Sequence, residues 1–555
     1  MQTTEYPLSE SLFDQACQWL KKMITTCGEN APTMSDELSA DKSDRIVLFT
    51  IADTTKGKYV TRTVKTQGLG AALNQLVTAA HPLQYRLNPD NVRLDVVTHV
   101  FPIDPERVKQ RKPLVSERSL VGFMLGDPTS AWLPEESVRY GLLSRKGRLN
   151  SGRIISALGS ERVKNVNTEN AWCFSARSRS LLDNADLFRG KPIAAHPNDE
   201  TVNQVIGNAK DYLVRATKPS GDFVYAYDAS QDTELDDYNI LRHAGSLWAL
   251  CELYRDCPDV DLHAAIARAH QYLLQQVHQH DDKAVIAEKG YVKLGGNGLS
   301  LIALADYYEL FEATPELLKT MQALANWIVS TQSHEGEFKI HKLRLRDNQV
   351  MPFISDFYPG EAILGLVKLY QVDRDYRWLE AANKAANWII DVRDADKSID
   401  ELQRDHWFLY ALTALYEHLP GEKLQQQSER IAAKIMRCQN RNQPIIDWNG
   451  GWKTPPLSTT TACMCEGLLA AYQLGVSSDA SYDYLEALQN SIEWGLQNQL
   501  GYQFGSANSA FLPNPGFARG GFICEYDHWL LRVDFTQHSV MSFLNYQRLM
   551  NGLPF

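Results

Sequence analysis

Three groups of residues in the C-terminal two-thirds of the chain have the types and spacing for chemistry. Asp236, Asp237, Tyr238, Arg242 and His243 open an otherwise apolar run, YNILRHAGSLWALCELY. Burying Arg242 and His243 there is costly unless they are paired or face a cavity. In a cavity His243 would act as acid or base, and Arg242 would orient an anionic or hydroxyl-rich ligand; the structural alternative is an ion pair with Asp236 or Asp534. A second group closes the chain: Arg519, Glu525, Tyr526, Asp527 and His528, then Arg532, Asp534, Gln537 and His538. Asp534 and His538 are four apart and share a helical face if the helix starts that early. The third group recurs at one point of a repeated segment: Lys293 and Asn297; Asp356, Tyr358 and Glu361; Arg404, Asp405, His406 and Trp407; Thr459, Thr461 and Glu466.

A rim of carboxylates, Tyr, Trp and His is suited to a sugar, whose apolar faces stack on rings and whose hydroxyls bond carboxylates. Hydrolysis would need two carboxylates across the cavity, Asp356 or Glu361 against Asp236 or Asp534. Epimerisation or elimination would use His243, His538 or Tyr358 for proton transfer, with Arg242 or Arg532 holding an anion. For any single member the plain alternative is a helix cap or first-turn acid, above all for Asp405 and Thr459. A protein that binds a glycan or another protein there without turning it over is the non-catalytic alternative.

The elements that must position these residues repeat about six times from residue 200 onward. Segments starting near Tyr238, Asn297, Pro359, Asp405, Thr459 and Thr536 are small and apolar on nearly every face, whereas LLKTMQALANWIVSTQ, RWLEAANKAANWIIDV and SYDYLEALQNSIEWGLQN carry a polar stripe. The first kind is buried on all sides and the second lies outside it. Six such pairs predict an (α/α)6 toroid over 200–555. Long loops join the two helices of a pair, while the links between pairs are short, so the long loops share one rim and the site is expected there. Gly221-Asp222-Phe223, Gly336-Glu337-Phe338, Gly450-Gly451-Trp452 and Gly501-Tyr502-Gln503-Phe504 are expected to fold over that rim and line it with rings, Trp452 among them. The first and sixth pairs would meet at a seam bringing the first two groups together.

Residues 1–130 read as a small α/β domain. RIVLFTIAD, KYVTRTVKT, VRLDVVTHVF and SLVGFMLG have strand patterns, LGAALNQLVTAAH a helical one, and 131–199 is expected to be a connector. The fold class is thus an α+β domain followed by an all-α toroid.

The 555 residues are 44% hydrophobic and 22% charged, an ordinary globular composition. A net charge of −11 argues against a nucleic-acid partner. No apolar run is long enough for a membrane span and the first residues lack a secretory pattern, so a cytoplasmic protein with a small polar or carbohydrate ligand is expected. Nine cysteines without framework spacing suggest reduced thiols. Cys463 and Cys465 form a C-x-C that could bind metal with Cys524, His528 or His538, but small thiols filling a crowded interior is the preferred reading. No metal or cofactor is expected.

The repeats and Gly-aromatic turns resemble the six-hairpin toroid proteins: glycoside hydrolases, N-acylglucosamine 2-epimerases, polysaccharide lyases and glucuronyl C5-epimerases. Arg532-x-Asp534-Phe535-x-x-His538 is similar to the Arg-x-Asp-Tyr-x-x-x-His segment of the last of these, with a different spacing to histidine. Lanthionine-forming cyclases share the toroid, but their Cys-His-Gly zinc motif is missing. The strand order and AWLPEES resemble the AMMECR family, without its cysteine-centred glycine motif. These resemblances imply a carbohydrate-active toroid, with hydrolysis ahead of epimerisation or elimination.

Overall fold

The computed structural model describes residues 3–26, 32–84, 89–103, 122–125, 131–142, 148, 150, 152–153, 171–193, 196–311, 313–525 and 528–553. Among the described residues, twelve long helices build the C-terminal part: α1 (Asp199–Ala216), α2 (Ile240–Asp256), α3 (Val260–Leu274), α4 (Leu294–Leu310), α5 (Pro315–Ser330), α6 (Tyr358–Asp373), α7 (Tyr376–Trp388), α8 (His406–His418), α9 (Glu422–Arg437), α10 (Ser458–Ser477), α11 (Tyr482–Leu500) and α12 (Val533–Met550). The even-numbered helices start within a few residues of the positions expected from their all-round apolarity. They pack in the order α2–α4–α6–α8–α10–α12 and back to α2, which closes a six-membered inner ring. The odd-numbered helices form the outer layer, and α1 packs on α12 to complete it. A four-stranded sheet ties the seam: Ala226–Asp228, after α1, pairs antiparallel with His528–Arg532, before α12.

The Gly-aromatic turns do something other than expected. Phe223, Phe338, Trp452, Tyr502 and Phe504 are all buried, and the Trp452 indole donates to the Ile435 carbonyl (2.8 Å). Each turn is pressed against the next outer helix. Gly221 and Gly336 take φ of 92° and 112°, and a Cβ on either would collide with a backbone carbonyl of that helix, Arg268 or Lys384. Only glycine satisfies both demands. These rings are therefore buried in the protein interior instead of lining the open rim of the inner ring.

The N-terminal sheet is antiparallel. Six of its nine described strands form the main run, β1 (Asp44–Asp53), β2 (Lys58–Gln67), β3 (Asn91–Pro102), β4 (Gly122–Leu125), β5 (Ala131–Trp132) and β6 (Ala171–Ser180), in the order β2-β1-β3-β6-β4-β5. The segment 131–199 is thus no mere connector: β6 pairs with β3 and β4 in the middle of the sheet. Side chains alternate along β1. Val47, Phe49 and Ile51 pack under the helices Glu10–Thr25 and Leu69–Gln84, while Ile46 and Leu48 join the core of the toroid. The contact falls on the loops before α2, α10 and α12. Tyr59 meets Phe511 edge-on at 4.7 Å, Asn91 donates to the Ser506 carbonyl (2.6 Å), and Arg189 and Lys191 both pair with Asp447. Among the described residues, no helix is long and apolar enough to cross a membrane.

Candidate functional site

A cavity of about 460 Å³ opens at the N-terminal ends of the inner helices. Arg242 reaches it from α2, Phe357, Tyr358 and Glu361 from α6, Arg404, His406 and Trp407 from α8, Lys453, Thr459 and Cys463 from α10 and the loop before it, and His538 from α12. The first turn of an inner helix is where a side chain can point into the ring and still meet solvent.

At the seam, Arg242 Nε lies 3.2 Å from Asp534 Oδ2, and Arg532 grips the same carboxylate at 2.5 and 2.8 Å. The first and last groups do converge, as an ion cluster. Burial alone would raise Asp534, but Arg242 and Arg532 outweigh it and hold the carboxyl below its usual range. Asp534 is therefore an anchor for two guanidiniums, and Arg242 is the one that faces the cavity.

Glu361 is in the opposite condition. Gly295 and Gly298 of α4 press against it, Oε2 has no hydrogen-bond partner, and burial pushes its carboxyl up to about 8. It is a neutral acid at physiological pH.

His406 and His538 face each other with ring centroids 5.4 Å apart. Neither nitrogen of buried His406 has a partner, and burial, with His538 and Arg242 nearby, holds the ring well below its ordinary pKa. His538 is equally buried, yet Cys463 and Glu466 overcome that and raise it well above the ordinary value. Glu466 Oε2 lies 2.7 Å from Nδ1 of His538, and its other oxygen accepts from the Tyr410 hydroxyl at 3.4 Å. Their surroundings thus push His406 toward the neutral form and His538 toward the charged one.

Several expected site residues lie elsewhere. His243 follows Arg242 by about 100° around α2, so it turns to the outer layer, where Nε2 meets the Ala269 carbonyl (2.9 Å) and Nδ1 meets the Tyr238 hydroxyl (2.7 Å). Both His243 and Tyr238 are thereby structural. Asp236 is exposed in the loop before α2. Asp356 is exposed and borders a separate cavity of about 90 Å³ with Phe338, His341 and Arg393. Asn297 is buried, accepting from Ile286 N–H (2.9 Å) and donating to the Lys293 carbonyl (2.8 Å). Arg519 donates to Thr54 of the N-terminal domain (2.7 Å) and Ser509 (3.2 Å). Glu525 sits on the strand beside His528, outside the cavity lining, and Tyr526 and Asp527 lie outside the described residues. Asp405 caps α8 by accepting from Phe408 N–H (3.0 Å).

Cys463 does more than fill space: it lines the cavity, and its thiol lies near enough to His538 to help raise that ring's pKa. Cys465, two residues on, faces the outer layer and approaches the Ile492 carbonyl. A spacing of two turns about 200° on a helix, so the C-x-C cannot converge on one ion. The usable signal was Cys463 with Glu466, three apart and hence on one face. Phe357 and Lys453 carried no signal in the sequence.

Neither a protein-family model nor a curated protein sequence matches the chain, and the expected likeness of residues 1–130 to the AMMECR family has no support. Similar solved structures include a cellobiose 2-epimerase from Bacillus thermoamylovorans (14% identity, covering 63% of this chain and 98% of that one, TM-score 0.48). A D-mannose isomerase (11%, 64% and 100%, TM-score 0.49) and a GH76A alpha-1,6-mannanase from Salegentibacter sp. (12%, 63% and 99%, TM-score 0.45) are also among them.

Proposed function

We propose that the protein is a carbohydrate-active enzyme that moves a proton on and off a carbon beside a carbonyl, that is, a sugar epimerase or isomerase. The observation that carries this reading is the His406–His538 pair, two rings 5.4 Å apart in one cavity whose surroundings push their pKa values in opposite directions. His406, neutral and unpartnered, removes the proton. His538, held toward its charged form, returns one within the same space, to that carbon or to its neighbour. Glu361 donates to the carbonyl oxygen, and Arg242, fixed by Asp534, stabilises the negative charge that develops there. Trp407, Tyr358 and Phe357 offer faces for a sugar ring. The cavity is of small-molecule size.

Glycoside hydrolysis is the second reading, because Glu361 is protonated as a general acid requires. Its carboxylate partner is harder to place. Among the described carboxylates, Asp534 is held by two arginines, Glu466 is bonded to His538 and Asp405 caps α8.

The test is incubation in D2O with reducing mono- and disaccharides, amino sugars and uronate oligosaccharides, followed by NMR. Deuterium at the carbon beside the anomeric centre, lost in His406→Asn, supports the proposal. Cleaved glycosides without deuterium uptake, lost in Glu361→Gln, would replace it with the second reading.

A further inference from the structure

We propose that His406, Cys463, Glu466 and His538 together form a binding site for a divalent transition metal, with zinc the best match. Each offers one donor atom, and the four donors lie within 4.8 Å of one another. Tetrahedral zinc, with bonds of roughly 2.0–2.3 Å, sets its donors about 3.3–3.8 Å apart, so donor separations need shorten by at most about 1–1.5 Å to close the site. The donors come from α8, α10 and α12, three consecutive inner helices with buried, closely packed backbones. Rotamers alone must move.

A second observation points to a ligand. His406 is buried, lines the cavity and leaves both ring nitrogens without a partner. Buried polar groups are nearly always bonded to something, and a metal would engage one of these nitrogens. The chemistry also fits. Two imidazoles, a thiolate and a carboxylate suit zinc, cobalt or iron(II) and disfavour magnesium or calcium. Thiolate and carboxylate together cancel the charge of a dication, so the loaded site is neutral where charge is costly. Outer contacts are present as well: the Tyr410 hydroxyl donates to Glu466 and itself accepts from Asn545 Nδ2 at 2.8 Å.

Binding exchanges protons for metal. The ion displaces the proton shared by His538 and Glu466 and the thiol proton of Cys463, both released to solvent, so affinity rises with pH. One consequence rests on the epimerase reading: a metal that takes His406 and His538 occupies both proton-transferring rings, so metal occupancy would shut off proton transfer.

The experiment is a Co2+ titration of chelator-treated full-length protein followed by absorption. Expected are one equivalent bound, visible bands of tetrahedral cobalt and a near-ultraviolet thiolate-to-cobalt band. Cys463→Ser should remove the last of these, His406→Ala should weaken binding about 100-fold or more, and Cys465→Ser should change neither. Wild-type protein without the thiolate band, or a band that survives Cys463→Ser, overturns the proposal; the wild-type result stands even if a variant fails to fold. One equivalent of Zn2+ added to active protein separates the two readings. Cobalt bands with deuterium exchange untouched by Zn2+ would sink the histidine proton-transfer reading and support the metal site. Exchange without cobalt bands would sink the metal site alone.

Discussion

His406 and His538 meet in one space although their helices are not neighbours in the inner ring: α10 lies between α8 and α12, and it supplies Cys463 and Glu466 to the same spot. The rings stand at 75° to each other. Their difference in charge comes from partners, because His538 has Glu466 and His406 has none. Replacing either by Asn should lower turnover about 10²–10⁴-fold. The stability effects should diverge. His406→Asn breaks no hydrogen bond and should cost under about 1 kcal/mol, whereas His538→Asn strands buried Glu466 and should cost roughly 3 kcal/mol. Denaturant unfolding of both variants checks this.

Glu361 sets an alkaline limit. Its folded pKa, about 8, lies above its unfolded value. The folded state therefore holds a proton that the unfolded state has lost, and stability falls as pH rises from the ordinary glutamate range to about 8, then levels off. Glu361→Gln should remove that slope and raise stability at pH 9 relative to pH 5 by about 4 kcal/mol. Wild-type activity should decline through about pH 8 as the acid ionises. Melting curves and a pH–rate profile test the two halves.

Asp534→Asn removes the counter-charge of Arg242 and Arg532, whose side chains are about a third exposed. Fully buried pairs cost about 3–5 kcal/mol to break, and partial solvent access should bring this one to roughly 2–3 kcal/mol. Since Arg242 loses its anchor, turnover should fall while the melting transition stays cooperative. Steady-state kinetics at a temperature well below the transition would separate the two effects.

Gly298→Ala tests how closely α4 and α6 must pack. A Cβ at Gly298 would lie 2.6 Å from the Glu361 carbonyl, and one at Gly365 would lie 2.7 Å from the Gly298 oxygen. Backbone cannot give way as a side chain would, so the alanine should cost about 2–3 kcal/mol and shift Glu361. Urea unfolding of Gly298→Ala, with Ala303→Gly as a control of opposite size change, measures it; a loss below about 0.5 kcal/mol would mean that the helices can separate freely.

The ring itself was legible in the sequence, because a helix apolar on every side has only one place to go and the short links between pairs force the long loops to one rim. The same argument put Arg242, Tyr358, Glu361, His406, Trp407 and His538 at inner-helix starts, where the cavity opens. Sequence spacing could not decide which of two adjacent residues turns inward. Arg242 and His243 differ by about 100°, and the packing of α3 against α2 sends the histidine outward. The Gly-aromatic turns were visible as a pattern, but their rings are buried, and Gly221, Gly336 and Gly450 are each pressed onto the next outer helix, a contact between segments far apart in the chain. Residues 171–180, expected in a connector, joined the sheet through the pairing of β6 with β3, which local propensity does not encode. Composition and periodicity thus determined the toroid and the end of it that opens. Closure of the ring alone decided which carboxylate is neutral, which histidine is charged and which thiol faces the cavity, because burial and charge partners are supplied by helices that meet only when the ring closes.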